Sequence, residues 1–357
     1  MKEQNIFLLI TVLLFIEFLG CKDKGIEPPP TKNPRDYAWT ADTITYTGSF
    51  IQTEMLNIWG SSYNDVYGVG FNNAFEKVYM WHYDGKSWAD VNLRDTYQIW
   101  ITQLSSVYGF SSNNVWAAGY AGDLSSPSSS LIIHYDGLKW SEENIIKGGA
   151  LNDIWGSSPN DIWACGFWGV VYHYDGINWN KDSISIYNPQ NAEFQLLSIT
   201  ESKNTAYAIG EKHENNLARD TYYFFKKTNQ AWQTLDSFVV APQQTTFKFG
   251  VRFWVSPEGN LYSTGDGVFK WNGSSWDNVY FSSIALPGIY GTSEQNIFVV
   301  GNYGIALHFN GSDWYQFPQL KNENIKYTGV WTDGKVAFIC GFTTNDFPMK
   351  TIVWHGK

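Results

Sequence analysis

The sequence predicts an all-β protein assembled from seven copies of one four-stranded antiparallel unit, and three observations carry that expectation. The stretch from Leu151 to Trp179, LNDIWGSSPNDIWACGFWGVVYHYDGINW, recurs in recognisable form from residue 56 to the end of the 357-residue chain. An aromatic residue ends the first strand at Trp59, Tyr108, Trp155, Trp254, Tyr290 and Trp331, with Ile199 taking its place in the fourth copy. The glycine that ends the second strand follows eleven residues later at Gly70, Gly119, Gly166, Gly210, Gly265 and Gly301, and ten residues later at Gly341.

Within the unit, Leu151 to Gly156 is an apolar run that stops at Ser158-Pro159-Asn160-Asp161, where Ser at the first and Pro at the second position suit a type I turn. Asp161 to Gly166, DIWACG, is apolar on both alternating faces, as expected of a strand held between two layers. A tight Phe167-Trp168-Gly169 connection leads into VVYHY. Asp175-Gly176 then supplies the residues that a two-residue hairpin favours, and a fourth strand begins near Trp179. The same Asp-Gly-x-x-Trp string stands at Asp84 to Trp88 and Asp136 to Trp140, with Asn in place of Asp at Asn272 and Asn310; the fourth copy keeps only Trp232.

A unit of roughly 45 residues cannot bury both of its faces alone, and radial stacking of such units gives a seven-bladed β-propeller of four-stranded antiparallel blades. The last copy reaches Trp354-His355-Gly356-Lys357 where its fourth strand should start. Upstream of the first copy, Tyr37 to Ile44 has the character of a fourth strand, with Trp39 in the place of the post-turn Trp. The N-terminal strand is therefore expected to complete blade seven and leave the ring without an open edge.

Ahead of the propeller (37–357), Met1-Lys2 precedes an apolar run from Ile6 to Leu19, too short for a comfortable membrane span and suited to a secretory signal. Gly20-Cys21 resembles the lipobox of bacterial lipoproteins. That resemblance implies a signal peptide over 1–20, acylation at Cys21 and a tether over 21–36, in which Pro28-Pro29-Pro30 and Pro34 favour an extended spacer. Lys22 after the cysteine favours the outer membrane or cell surface by the same resemblance. The membrane is then met through the lipid anchor alone.

Aromatic residues make up 18% of the chain, most in repeat register, and are expected to pack between blades rather than to form ligand platforms. A net charge of −10 with 24 basic residues and no Lys/Arg run argues against nucleic acid as a partner. Cys165 and Cys340 fall in blades three and seven, too far apart in the ring for a disulfide, and read as small buried hydrophobes. His82, His134, His173 and His308 stand in one register on separate blades. They cannot converge on a metal, so each is expected to hydrogen-bond within its blade or to the next. No cofactor is expected.

The strings Ile58-Trp59-Gly60-Ser61-Ser62 and Ile154 to Asp161, with the recurring His-Tyr-Asp-Gly-x-x-Trp, resemble the repeats of exported bacterial β-propellers similar to the BNR/Asp-box and YCF48-like groups. The resemblance covers residues 37 to 357 and speaks for blade architecture. Asp84, Asp136 and Asp175 are read as turn residues that hold local backbone bonds. A sialidase-like enzyme would need three convergent arginines, and Arg94, Arg219 and Arg252 could supply them only through inward-folding loops. No paired-carboxylate, Ser/His/Asp or phosphate-loop constellation is present.

The connections vary on one face. Those joining second to third strands run long around residues 72–76, 123–130, 212–220 and 343–348, and those joining blade to blade around 96–103, 184–193 and 237–246, whereas the opposite turns stay short. Function tends to sit on variable loops carried by a rigid scaffold. The residues that open these loops after the second-strand glycine, Phe71, Tyr120, Phe167, Asp266, Asn302 and Phe342, with Trp168 and Tyr303 following, are therefore the ligand-binding candidates. Rings for stacking and polar groups for orientation suit a protein or glycan partner. The alternatives are a structural or assembly subunit of an envelope complex and a glycan-active enzyme.

Overall fold

The structure is a computed structural model and describes residues 32–46, 51–73, 78–93, 101–122, 129–147, 149–186, 192–214, 219–229, 231–240 and 247–357. The expected signal segment, Cys21 and the expected tether up to residue 31 lie outside the described residues, as do Arg94 and parts of most long connections. The described chain forms seven four-stranded sheets, each with its first three strands in sequence order. In blade three these are Leu151–Ser158, Asp161–Gly166, Val170–Tyr174 and Trp179–Ser183.

Blade seven is closed by the N-terminal strand. Trp39–Ile44 pairs antiparallel with Thr351–Gly356, Trp39 opposite Gly356 and Ile44 opposite Thr351. Ala38 and Lys357 exchange two further backbone bonds, at 3.0 and 3.3 Å. Joining the chain's two ends within one sheet removes the edge that would otherwise template aggregation.

The periodic glycine has a steric cause. A methyl group at Gly166 would lie 2.0 Å from the Ala150 carbonyl oxygen, and the same clash arises at Gly70 with Glu54, Gly119 with Gln103 and Gly341 with Lys326. In these four blades the chain entering the first strand passes directly over the end of the second, and only glycine leaves room.

Blade four departs from the expected register. The ladder sets Thr200, not Ile199, opposite the second-strand Tyr207, in the place that Trp155 holds opposite Trp163. Blades one, two, three and six carry a register shift just before the first turn, as at Gly156/Ser158, and blade four has none there. Its turn is instead Lys203-Asn204, both left-handed at φ 51° and 59°, the geometry of a two-residue hairpin. Blade four lacks the bulged residue that Ser157 supplies in blade three, and its absence moves the anchor by one. The strands of this blade are also long, 11, 10, 10 and 10 residues, against 8, 6, 5 and 5 in blade three.

Most repeat-register aromatics pack between blades. The second-strand ring of one blade meets the post-turn Trp of the next in Tyr67–Trp140, Trp116–Trp179 and Trp163–Trp232, at 5.7, 5.8 and 6.2 Å between centroids, edge-on as ring quadrupoles prefer. The turn aspartates act on the backbone as expected: Asp84, Asp136 and Asp175 each accept two N–H bonds from the residues two and three positions on. These bonds hold their carboxyls below the usual range. Each of the four histidines bonds within its own blade, His82 to Asp65, His134 to Asn114, His173 to Asp161 and His308 to Asn296. Cys165 and Cys340 are buried free thiols.

Candidate functional site

Because strands alternate in direction, the second-to-third turns and the blade-to-blade connections share one face, and the hairpins at Asp84, Asp136 and Asp175 lie on the other. On the first of these, blades two, three and four enclose a cleft of about 450 Å³ lined by Gln103, Ser105, Tyr120, Gly149, Ala150, Asn152, Phe167, Trp168 and Gln195. Three of the residues singled out by sequence, Tyr120, Phe167 and Trp168, meet here.

The Trp168 side chain is held out by a turn with little freedom. Phe167 N–H donates to Ala150 O at 2.9 Å, Trp168 N–H to Phe194 O at 2.8 Å, and Ile184 N–H to Gly169 O at 2.8 Å. Trp168 itself is left-handed at φ 59°, and Gly169 follows at φ 72°. A bulky residue in that region is unusual and costs roughly 1–2 kcal/mol. Positive φ at both central positions is the geometry of the two-residue hairpin that Val170 N–H closes to Phe167 O at 3.3 Å, and this turn leaves the indole 64% exposed.

Beside the rings runs a relay of amides. Asn152 Nδ2 donates to Gln195 Oε1 at 3.0 Å and to Leu196 O at 2.8 Å; Gln195 Nε2 donates to Glu211 Oε2 at 3.0 Å; and Tyr222 OH donates to Glu211 Oε1 at 2.7 Å. Each bond sets which way the next amide points, so the polar wall is ordered before any ligand arrives. Burial raises the pKa of Tyr120, keeping its hydroxyl protonated. Among the described residues, the lining has neither a carboxylate nor a basic side chain, and its rings and amides can stack and hydrogen-bond.

The other sequence candidates lie elsewhere. Tyr303 occupies a turn of the same form in blade six, Asn302-Tyr303-Gly304, left-handed at φ 58° and 54% exposed. Phe71 and Asp266 are half-buried, and burial pushes the Asp266 carboxyl up. Phe342 is 8% exposed with the Lys326 ammonium over its ring, 5.9 Å from the centroid, so that ring is covered rather than offered. Gln103, Asn152 and Gln195 were not anticipated. A signal for two of them existed: Gln103 and Gln195 stand directly across the ladder from the post-glycine residues Tyr120 and Glu211.

A second polar feature crosses the central channel, a cavity of about 240 Å³ lined by the first strands. Arg252 of blade five reaches Asp153 of blade three, Nη1 to Oδ1 at 2.8 Å, and Asp153 also accepts from Ser106 Oγ, Ser198 Oγ and Ile199 N–H. Arg219 is bound to Glu214. Both described arginines of the sialidase-like triad are thus committed to partners of their own.

No family model and no curated protein matches the chain in sequence. Solved structures do match in shape. A structure described as YCF48 bound to D1 peptide is 15% identical, with a TM-score of 0.57 over 91% of this chain and 95% of that one. YCF48 from Cyanidioschyzon merolae is 12% identical, with a TM-score of 0.53 over 88% of this chain and 98% of that one. At such identities the likeness speaks for the propeller fold.

Proposed function

We propose that this propeller is a non-catalytic binding module that takes a polypeptide segment of a partner protein in the cleft between blades two, three and four. The observation that carries the reading is Trp168, an exposed ring held by a bonded hairpin turn beside a pre-ordered amide wall. A peptide supplies what this lining asks for, apolar side chains for the rings and backbone N–H and C=O groups for the amides. The solved YCF48 structure with a bound peptide supports a peptide ligand for a propeller of this shape. Assembly of an envelope complex is the natural setting for such a module. Export, with acylation at Cys21 and placement at the outer membrane or cell surface, belongs to the same proposal and rests on the sequence of residues 1–22.

The test is selection of a random peptide library on the full chain, followed by titration of the enriched peptides against wild type and Trp168→Ala. A centrally placed aromatic anchor commonly carries 2 kcal/mol or more, so affinity is expected to fall about 30-fold or more. Peptides that bind both proteins equally would move the site away from this cleft. Binding confined to a glycan array, with no peptide enriched, would replace the polypeptide reading with a carbohydrate one.

A further inference from the structure

The chain enters the propeller on the face opposite the cleft. Trp39 begins the closing strand opposite Gly356, the end of the third strand of blade seven, and third strands run toward the short-turn face. Just upstream, Arg35 donates to both carboxylate oxygens of Asp313 at 3.1 and 3.3 Å and to its backbone oxygen at 2.8 Å, and its guanidinium lies 5.3 Å from the Tyr315 ring centroid. Asp313 belongs to the short hairpin of blade six, in which its N–H donates to Asn310 Oδ1. Lys32 Nζ donates to Lys357 O at 3.0 Å. Residues 32–37 are thus fastened to the short-turn face at the seam of blades six and seven.

On the same face, blades two and three carry exposed apolar side chains at their hairpin tips. Leu138 is 90% and Ile177 82% exposed, where the equivalent tips have Lys86, Ser274 and Ser312. The turn backbone beneath them is already satisfied, since Leu138 and Ile177 donate their N–H groups to Asp136 and Asp175. Nothing local accounts for the choice of leucine and isoleucine. Lys139 follows Leu138 on the tip of blade two, and Lys86 stands on the tip of blade one. In a seven-bladed ring the seam of blades two and three lies roughly 150° around from the seam of blades six and seven.

We infer that the short-turn face is a membrane-docking surface, held to the bilayer by the anchored N-terminus on one rim and by Leu138 and Ile177 on the opposite rim. The inference rests on the proposed acylation of Cys21. From Cys21 to Lys32 the chain spans at most about 36–40 Å even when fully extended, so the face on which it enters is kept near the lipid. Two tips across the disc from the anchor are where contact would turn a swinging attachment into a flat one. Apolar side chains beside lysines suit the boundary between headgroups and acyl chains, anionic lipid above all. The cleft then points away from the membrane, toward whatever partner approaches.

The experiment uses the full acylated chain in vesicles of phosphatidylethanolamine and phosphatidylglycerol that carry nitroxide-labelled lipid. An environment-sensitive fluorophore is placed in turn at Leu138→Cys, Ile177→Cys and, on the cleft face, Tyr303→Cys; the two thiols of the propeller are buried and do not compete. Several-fold stronger quenching and a blue shift at 138 and 177 relative to 303 are expected. Flotation with the vesicles but no quenching at 138 and 177, or stronger quenching at 303, overturns the docking surface and leaves the anchor standing. Failure to float, or flotation unchanged in Cys21→Ser, removes the anchor itself and the docking inference with it.

Discussion

The imidazole of His173 stacks on the indole of Trp163, 3.8 Å between ring centroids and 12° between planes, while its Nε2 lies 2.6 Å from the Asp161 carboxylate. Blade two repeats the arrangement with His134 on Trp116 at 3.9 Å and 17°, and Asn114 as partner. Two residues of the second strand thus grip one residue of the third, and Ser157 holds the other oxygen of Asp161. The repeated histidine is a device for locking strands within a blade.

His173→Ala is therefore expected to cost about 1–3 kcal/mol, from the lost stack and the lost bond to the half-buried Asp161 carboxylate. Equilibrium unfolding in urea measures it. A cost under about 0.5 kcal/mol would mean that the imidazole is ornamental to the blade.

Much of this was legible because it is local and periodic. The second-strand glycine, the Asp-Gly turn and the orphan strand around Trp39 each report a constraint met within a few residues, repeated often enough to be read. The shift of the anchor to Thr200 was not legible: whether a hairpin carries an extra bulge residue is decided by the backbone of Lys203-Asn204, and no side chain announces it. The cleft was half legible. Its rings follow the glycine in sequence, whereas Asn152 and Gln195 meet them only when blades three and four are set side by side. Arg252 and Asp153 each stand two residues before the first-strand anchor, Trp254 and Trp155, on blades that are not neighbours, and their bridge emerges only once the ring is closed.

His308 gives the fold a dependence on pH. It is 1% exposed, its Nε2 is bonded to Asn296 and, among the described residues, its Nδ1 has no partner. Burial, reinforced by the Arg35 guanidinium, pushes its pKa down to about 4. The unfolded chain takes up the proton near 6.5, the folded chain only near 4, so stability falls as pH drops between these values and is unaffected above them. The loss amounts to about 3 kcal/mol at most, at 1.36 kcal/mol per unit. Unfolding free energies of wild type and His308→Gln across that window should diverge by this amount, and parallel curves would sink the assignment.

Trp168 allows strain and function to be separated. In Trp168→Gly, relief of the left-handed backbone is offset by the conformational freedom of glycine, so stability should stay within about 1 kcal/mol of wild type. Peptide binding should be lost with the ring. Gly169→Ala is the contrasting variant, because its methyl group would lie 2.0 Å from the Ile184 carbonyl oxygen and 2.9 Å from the Phe194 ring. It should lose stability and binding together. Calorimetry beside a peptide titration reads both; a Trp168→Gly protein that melts much earlier yet binds normally would make the indole part of the core.

The bridge across the channel sets the last expectation. Asp153 is 7% exposed and gathers Ser106 from blade two, Ser198 and Ile199 from blade four and Arg252 from blade five. One carboxylate thereby ties four consecutive blades. Removing the guanidinium leaves a buried charge without a counter-charge, which typically costs 3–5 kcal/mol, whereas removing both charges is often nearly neutral. Arg252→Ala should therefore destabilise by about 3 kcal/mol, at the lower end because the Arg252 side chain keeps 25% of its exposure. The Asp153→Asn/Arg252→Met double variant should recover a large part of that loss. Urea unfolding of the two proteins decides the matter: a double variant as unstable as Arg252→Ala would show that the hydrogen bonds of Asp153, rather than its charge pairing, hold the centre of the ring.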